Sequence, residues 1–92
     1  MSALVIIDLT PIDKEKLSTY STMAAEALVP YDGEFLAKGA IEVLHGESAF
    51  QTKVVILFPD RNKAMNWYQS AAYQALIPMR NQGMHSQFHL VG

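Results

Sequence analysis

Five consecutive apolar residues, Val54-Val55-Ile56-Leu57-Phe58, are stopped by Pro59-Asp60. A strand of that kind has no polar face to give to water. Residues 3–9 repeat the theme, with Leu4 and Ile6 on one face and Val5, Ile7 and Leu9 on the other. Two strands apolar on both sides belong in the middle of a sheet whose two faces are both covered. A chain of 92 residues has room for one core, so residues 1–92 read as a single domain.

The remaining elements follow from local signals. Thr10-Pro11-Ile12-Asp13 looks like a helix start, with Thr10 as cap, Pro11 at the first helical position and Asp13 where a capping-box acid stands. Leu17, Tyr20, Ala24, Ala27 and Leu28 follow at helical spacing, and Pro30 ends that helix. Asp32-Gly33 signals a turn. Residues 34–44 read as a long second strand whose mixed polarity suits a sheet edge, with Gly39 as a bulge or bend. Residues 52–58 make the third strand. Asp60 then caps a helix through Tyr68 or Gln69, and Ser70 caps a further short helix holding Tyr73. Pro78 offsets the helical region that follows, Gly83 is its C-cap, and residues 87–91 form a last strand.

The order is β-α-β-β-α-β, the split-βαβ arrangement of an α+β, ferredoxin-like fold. Its four-stranded antiparallel sheet places the first and third strands in the middle, and those are the two that read apolar on both faces. Two helical regions cover one face only, so the other face calls for a partner. The simplest partner is a second copy, sheet against sheet, giving a homodimer built as a dimeric α/β barrel.

Composition agrees: half the residues are hydrophobic and 17% are charged, which is rich for a small domain. The net charge of −2 and the scattered Lys and Arg argue against nucleic acid as a partner. The absence of cysteine excludes disulfides and thiolate chemistry. The opening MSALVIIDL lacks a basic flank and is too short for a signal peptide. No stretch reaches the ~20 apolar residues a membrane span needs, so no membrane is expected and the cytoplasm is the expected location.

Candidate chemistry gathers in the second half. Trp67, Tyr68 and Tyr73 either line a pocket between helix and sheet or fill the core. Arg80 either holds the carboxylate or phosphate of a ligand or ties down the second helical region, through loop carbonyls or an acid such as Glu42. His45, beside Gly46 at a strand end where a backbone can approach a ligand, is the candidate catalytic residue, against a reading as an exposed loop histidine. Asp8 either serves as a base at a cavity mouth or satisfies turn amides before Thr10-Pro11. His85 and His89 fall in or beside a strand, where four residues span ~13 Å, too far to share an ion bound at ~2 Å. No metal site and no cofactor are expected, and no phosphate loop or nucleophile elbow is present.

Several strings look familiar together. Tyr31-Asp32-Gly33-Glu34-Phe35-Leu36-Ala37-Lys38-Gly39, Glu42-Val43-Leu44-His45-Gly46, Val54 through Pro59, Ala64, Trp67-Tyr68, Ser70, Tyr73-Gln74 and Arg80 resemble domain-of-unknown-function family 1330. The family belongs to the dimeric α/β-barrel superfamily of ferredoxin-like folds. Two positions depart from its pattern: His45 and Leu57 stand where the family commonly has acids. The chain has lost those carboxylates or replaced one by an imidazole. The resemblance implies a sheet-to-sheet dimer. The wider superfamily includes cofactor-free monooxygenases, small isomerases, haem-binding enzymes and ligand-sensing domains. The expectation is therefore a small-molecule-binding protein whose pocket is lined by Tyr31, Trp67, Tyr68, Tyr73 and Arg80, with His45 near the mouth. By superfamily analogy it would perform cofactor-free proton transfer or oxygenation on an organic compound. The alternative is a non-catalytic homodimeric module with a filled interior.

Overall fold

The computed structural model describes residues 1–92. Strand β1 (Ala3–Pro11) leads to helix α1 (Lys14–Leu28) and a 3-10 turn over Val29–Tyr31. Strands β2 (Glu34–Ala40) and β3 (Thr52–Phe58) follow, then helices α2 (Arg61–Gln69), α3 (Ala71–Gln74) and α4 (Ile77–Gly83), and strand β4 (Met84–Val91). The sheet is antiparallel throughout with order β2-β3-β1-β4, so the two strands apolar on both faces are the central pair. The fold is α+β and ferredoxin-like, as the sequence pattern requires.

All the helices lie on one side of the sheet. Against them are Val5, Ile7 and Leu9 of β1 and Val54, Ile56 and Phe58 of β3, packed with Tyr20, Ala24, Leu28, Trp67 and Tyr73. The other face carries Leu4 and Ile6 beside Val55 and Leu57, all only partly buried. Asp8 sits at its centre. Its Oδ1 lies 3.3 Å from the Lys53 ammonium and its Oδ2 accepts from Gln87 Nε2 at 2.9 Å. Asp8 therefore ties three strands together across the open face, instead of serving the turn after β1. His85 and His89 belong to β4, and no three His, Cys, Asp or Glu side chains gather as a metal-binding group.

Several local expectations need correction. The first strand runs on through Pro11, and the helix cap is Asp13, whose side chain accepts from Lys16 N at 3.2 Å; Thr10 and Pro11 belong to β1. Thr10 stays in the strand, where its Oγ1 accepts from Gln51 N. The second strand ends at Ala40, not at residue 44, and the connection over 41–51 is irregular. Its bulge is at Leu36, since Phe35 pairs with Ile56 and Ala37 with Val55. Gly39 is regularly paired with Lys53. The last strand begins at Met84, earlier than residue 87. The capping expectations at Asp60 and Ser70 hold, with bonds to Lys63 N at 2.8 Å and Tyr73 N at 3.1 Å. Pro78 occupies the first turn of α4, where its missing N–H costs nothing.

Gly83 is the last residue of α4 rather than a left-handed cap, and the residue after it is extended. Its carbonyl accepts from Ile12 N at 2.8 Å and Asp13 N at 3.1 Å, locking the start of α1 against the end of α4. A Cβ at Gly83 would stand 2.9 Å from Leu17 N, a backbone atom that cannot swing aside. Gly83→Ala is expected to destabilise the fold by about 1–3 kcal/mol despite the better helix propensity of alanine. A Cβ at Gly39 meets nothing within 4 Å, so Gly39→Ala is expected to stay within about 0.5 kcal/mol of the parent. Urea denaturation of the two variants checks this, and equal midpoints would contradict it.

Candidate functional site

The helix layer does not fill the space it covers. Between α1 and the β2–β3–β1 part of the sheet lies a partly open cavity of about 650 Å³, a volume suited to a small organic molecule. Ile7, Leu9, Val54 and Ile56 form its floor, and Leu17, Tyr20, Ala24 and Leu28 of α1 form one wall. Trp67 closes the inner end. The β2 side is contributed by Phe35 and Lys38, and the Leu36 bulge is what makes that possible. Residues three apart on a regular strand face opposite ways. With one residue looped out, Phe35 lies opposite Ile56 and Lys38 opposite Val54, both on the helix side. Both are exposed and stand on the edge strand.

Two buried polar groups stand out in a lining whose other polar residues, Ser21, Thr22, Lys38 and Thr52, are partly or fully exposed. Trp67 is 1% exposed, and its indole Nε1 is buried without a hydrogen-bond partner. Such a donor costs about 1–3 kcal/mol while unpaired. Tyr20 is the other, buried on the cavity wall, its hydroxyl 2.7 Å from that of Tyr73. Tyr73 is fully buried and packs on Trp67 at 4.5 Å between ring centroids. Burial pushes the phenols of both Tyr20 and Tyr73 above their ordinary value, so both keep their protons at neutral pH.

Arg80 lies behind this pair. Its Nη1 donates to the Tyr68 hydroxyl at 3.0 Å and to the Tyr73 hydroxyl at 3.3 Å, and its guanidinium sits 4.9 Å above the Phe88 ring. Neither ion pair of the protein involves it. Burial acts to lower its pKa, but the bonds to the two tyrosines outweigh that and leave it raised, so it is a permanent cation without a carboxylate. Of the two structural partners considered for Arg80, loop carbonyls and Glu42, it takes neither; its partners are hydroxyls and the Asn81 side chain.

The structure brings Trp67, Tyr68, Tyr73 and Arg80 into one cluster, of which only Trp67 lines the cavity. Tyr31 lies in the 3-10 turn, packed against the core but outside the cavity wall. His45 is exposed in the 41–51 connection and is likewise outside the wall. Sequence reasoning had placed Tyr20 among helix-face core residues. The signal that could have singled it out is its hydroxyl, since a tyrosine on a buried stripe must find a partner. Phe35 and Lys38 could not be assigned to one face without knowing where the bulge falls.

A four-stranded β2-β3-β1-β4 sheet with one helical layer and a cavity between them defines a ferredoxin-like α+β protein. The chain belongs to the family described as domain of unknown function (DUF1330), which matches residues 2–92. No curated protein matches it significantly. Among solved structures, a protein of unknown function from Rhodopseudomonas palustris superposes with a TM-score of 0.80 at 10% identity, covering 98% of this chain and 80% of that one. A dimeric ferredoxin-like protein of unknown function from Jannaschia sp. CCS1 gives 0.76 at 11% identity, covering 100% and 99%. SnoaB, a cofactor-independent oxygenase from Streptomyces nogalater, gives 0.69 at 10% identity, covering 99% and 91%. At these identities the likeness is one of fold. No helix is long and apolar enough to cross a membrane.

The buried hydroxyl pair has a measurable signature. Tyr73→Phe removes the acceptor of Arg80 and the partner of Tyr20, and is expected to cost about 1–3 kcal/mol by urea denaturation. Because both folded-state pKa values are raised, the unfolded chain releases these protons first. Stability is therefore full below the unfolded phenol value near 10 and falls as pH rises past it. The fall should be shallower in Tyr73→Phe, and an identical alkaline slope would contradict the assignment.

Proposed function

We propose that the chain is a homodimeric small-molecule-binding protein whose cavity takes an apolar, ring-containing organic compound bearing an acceptor oxygen. The observation that carries this reading is the cavity under α1, whose largely apolar lining includes Trp67 with its buried, unpartnered indole Nε1–H. An indole N–H left dry and unpaired gains a hydrogen bond when a carbonyl or similar oxygen arrives. The flat aromatic surfaces of Trp67 and Phe35 suit rings, and Lys38 offers a charge beside the edge strand.

SnoaB supports, by analogy of fold, cofactor-free oxygenation or proton transfer on such a compound. The cavity wall contains no carboxylate and no imidazole, which favours binding over acid–base catalysis by wall residues. His45 would have to reach the ligand from the 41–51 connection to serve as a base. Calorimetric titration with α-tetralone, an apolar bicyclic ketone, tests the cavity. Saturable binding is expected, lost in Ala25→Trp, which plugs the wall at a partly exposed position. His45→Ala is expected to bind as the parent does. Absence of saturable binding, or binding indifferent to the plug, would count against the cavity.

The open sheet face is the surface through which two copies would meet. Leu4, Ile6, Val55 and Leu57 lie together there, flanked by the Asp8–Lys53 pair. The Jannaschia relative, a dimeric ferredoxin-like protein, supports pairing of this kind. Light scattering after size exclusion is expected to give a dimer for the parent and a monomer for Val55→Glu, which would bury unpaired charge in the interface. A monomeric parent would overturn the proposal.

A further inference from the structure

We infer that the cavity recognises its ligand as an oxyanion, a phenolate or enolate, through a donor relay that runs from Arg80 through Tyr73 to Tyr20. This rests on the cavity-binding reading and adds the charge state of the ligand oxygen and the residues that select it.

The argument is a count of protons. Tyr20 and Tyr73 each carry one hydroxyl proton, and the pair makes one mutual hydrogen bond at 2.7 Å. Arg80 can only donate, so its contact with the Tyr73 oxygen consumes an acceptor site and supplies no acceptor. Neither hydroxyl has any other recorded partner, so one of the two O–H groups is left without an acceptor. Tyr73 is fully buried and absent from the cavity wall, whereas Tyr20 is part of that wall. Arg80 pulls on the Tyr73 oxygen, which makes Tyr73 the better donor within the pair. Either hydroxyl can be the donor in their mutual bond; with Tyr73 donating, the spare proton is the Tyr20 O–H, on the residue that lines the cavity.

Two buried residues of the lining thus carry donors without acceptors, the Tyr20 O–H and the Trp67 N–H, beside the more exposed Ser21, Thr22, Thr52 and Lys38. Behind one of them stands a cation that no carboxylate neutralises. Donors backed by a fixed positive charge in an apolar surround favour the ionised form of a ligand oxygen over its protonated form. A protonated phenol would offer only its weaker acceptor side and would keep its own proton to place. Tyr20 and Trp67 are binding residues in this scheme, and Tyr73 and Arg80 are positioning residues.

The charged and titratable groups bearing on that oxygen are Tyr20, Tyr73, Tyr68 and Arg80 on the helix side and Lys38 on the edge strand. The probe is para-nitrophenol, whose phenolate absorbs in the visible, titrated with pH in the presence of saturating protein. The bound probe is expected to ionise about one to three pH units below the free probe. Lys38→Gln, an exposed change, is expected to keep most of that shift. Tyr20→Phe, with its fold checked by circular dichroism, is expected to abolish it. An unshifted probe overturns the relay, as does a shift that survives Tyr20→Phe or disappears in Lys38→Gln. Should Tyr20→Phe fail to fold, the parent and Lys38→Gln decide the matter between them. Binding of α-tetralone without para-nitrophenol sinks the relay alone, whereas failure of both compounds sinks the cavity reading with it.

Discussion

The bond between the Tyr20 and Tyr73 hydroxyls is the point on which the helix layer turns. At 2.7 Å it joins α1 to α3, elements that meet in no other hydrogen bond, over the apolar floor of the sheet. Both tyrosines are buried, so their hydroxyls depend on partners within the protein for hydrogen bonds they would otherwise make with solvent. The same pair anchors Arg80, whose guanidinium is spread over two tyrosine hydroxyls and the face of Phe88. A cation held by neutral groups keeps its field.

The two faces of the sheet answer different demands. On the helix side, β1 and β3 give Val5, Ile7, Leu9, Val54, Ile56 and Phe58 to the core, yet the cover is incomplete at β2, which stands at the edge with every residue exposed. The gap beneath α1 is the cavity. On the other side the apolar stripe of Leu4, Ile6, Val55 and Leu57 is interrupted by Asp8, Lys53 and Gln87, bonded across three strands. Such a polar cluster fixes strand register and would fix the alignment of a facing surface as well, although Asp8 Oδ1 has only its charge contact with Lys53 and no hydrogen bond.

The sheet was legible because its signals are strong and local. Residues 54–58 and 3–9 are apolar at every position that needs burial, and both proved central. Asp60 and Ser70 announced their helices because each side chain reaches a free backbone N–H three residues on. The cavity was not legible. Its β2 side depends on a bulge at Leu36, and nothing in the chemistry of leucine marks a looped-out position. Gly39, the residue that looked like a bulge, is paired regularly. Gly83 drew attention as a cap, yet its lack of a side chain serves a close approach to the backbone of Leu17, a long-range contact that no local pattern encodes. The aromatic string forms one cluster, and its division into wall and interior depends on which way each ring turns. Trp67 and, a helix away, Tyr20 belong to the cavity lining, while Tyr73 does not.

Trp67 is the only tryptophan of the chain, so a nitrogen-15 correlation spectrum contains one indole N–H signal. That signal reports directly on whether the buried donor is unpaired and faces the ligand. It should appear upfield when the cavity is empty, as for an indole with no acceptor, and move downfield as α-tetralone is added, tracking the occupied fraction. An indole signal already shifted downfield in the free protein, or one that stays still as the ketone saturates, would contradict the account of this cavity as a site waiting for an oxygen.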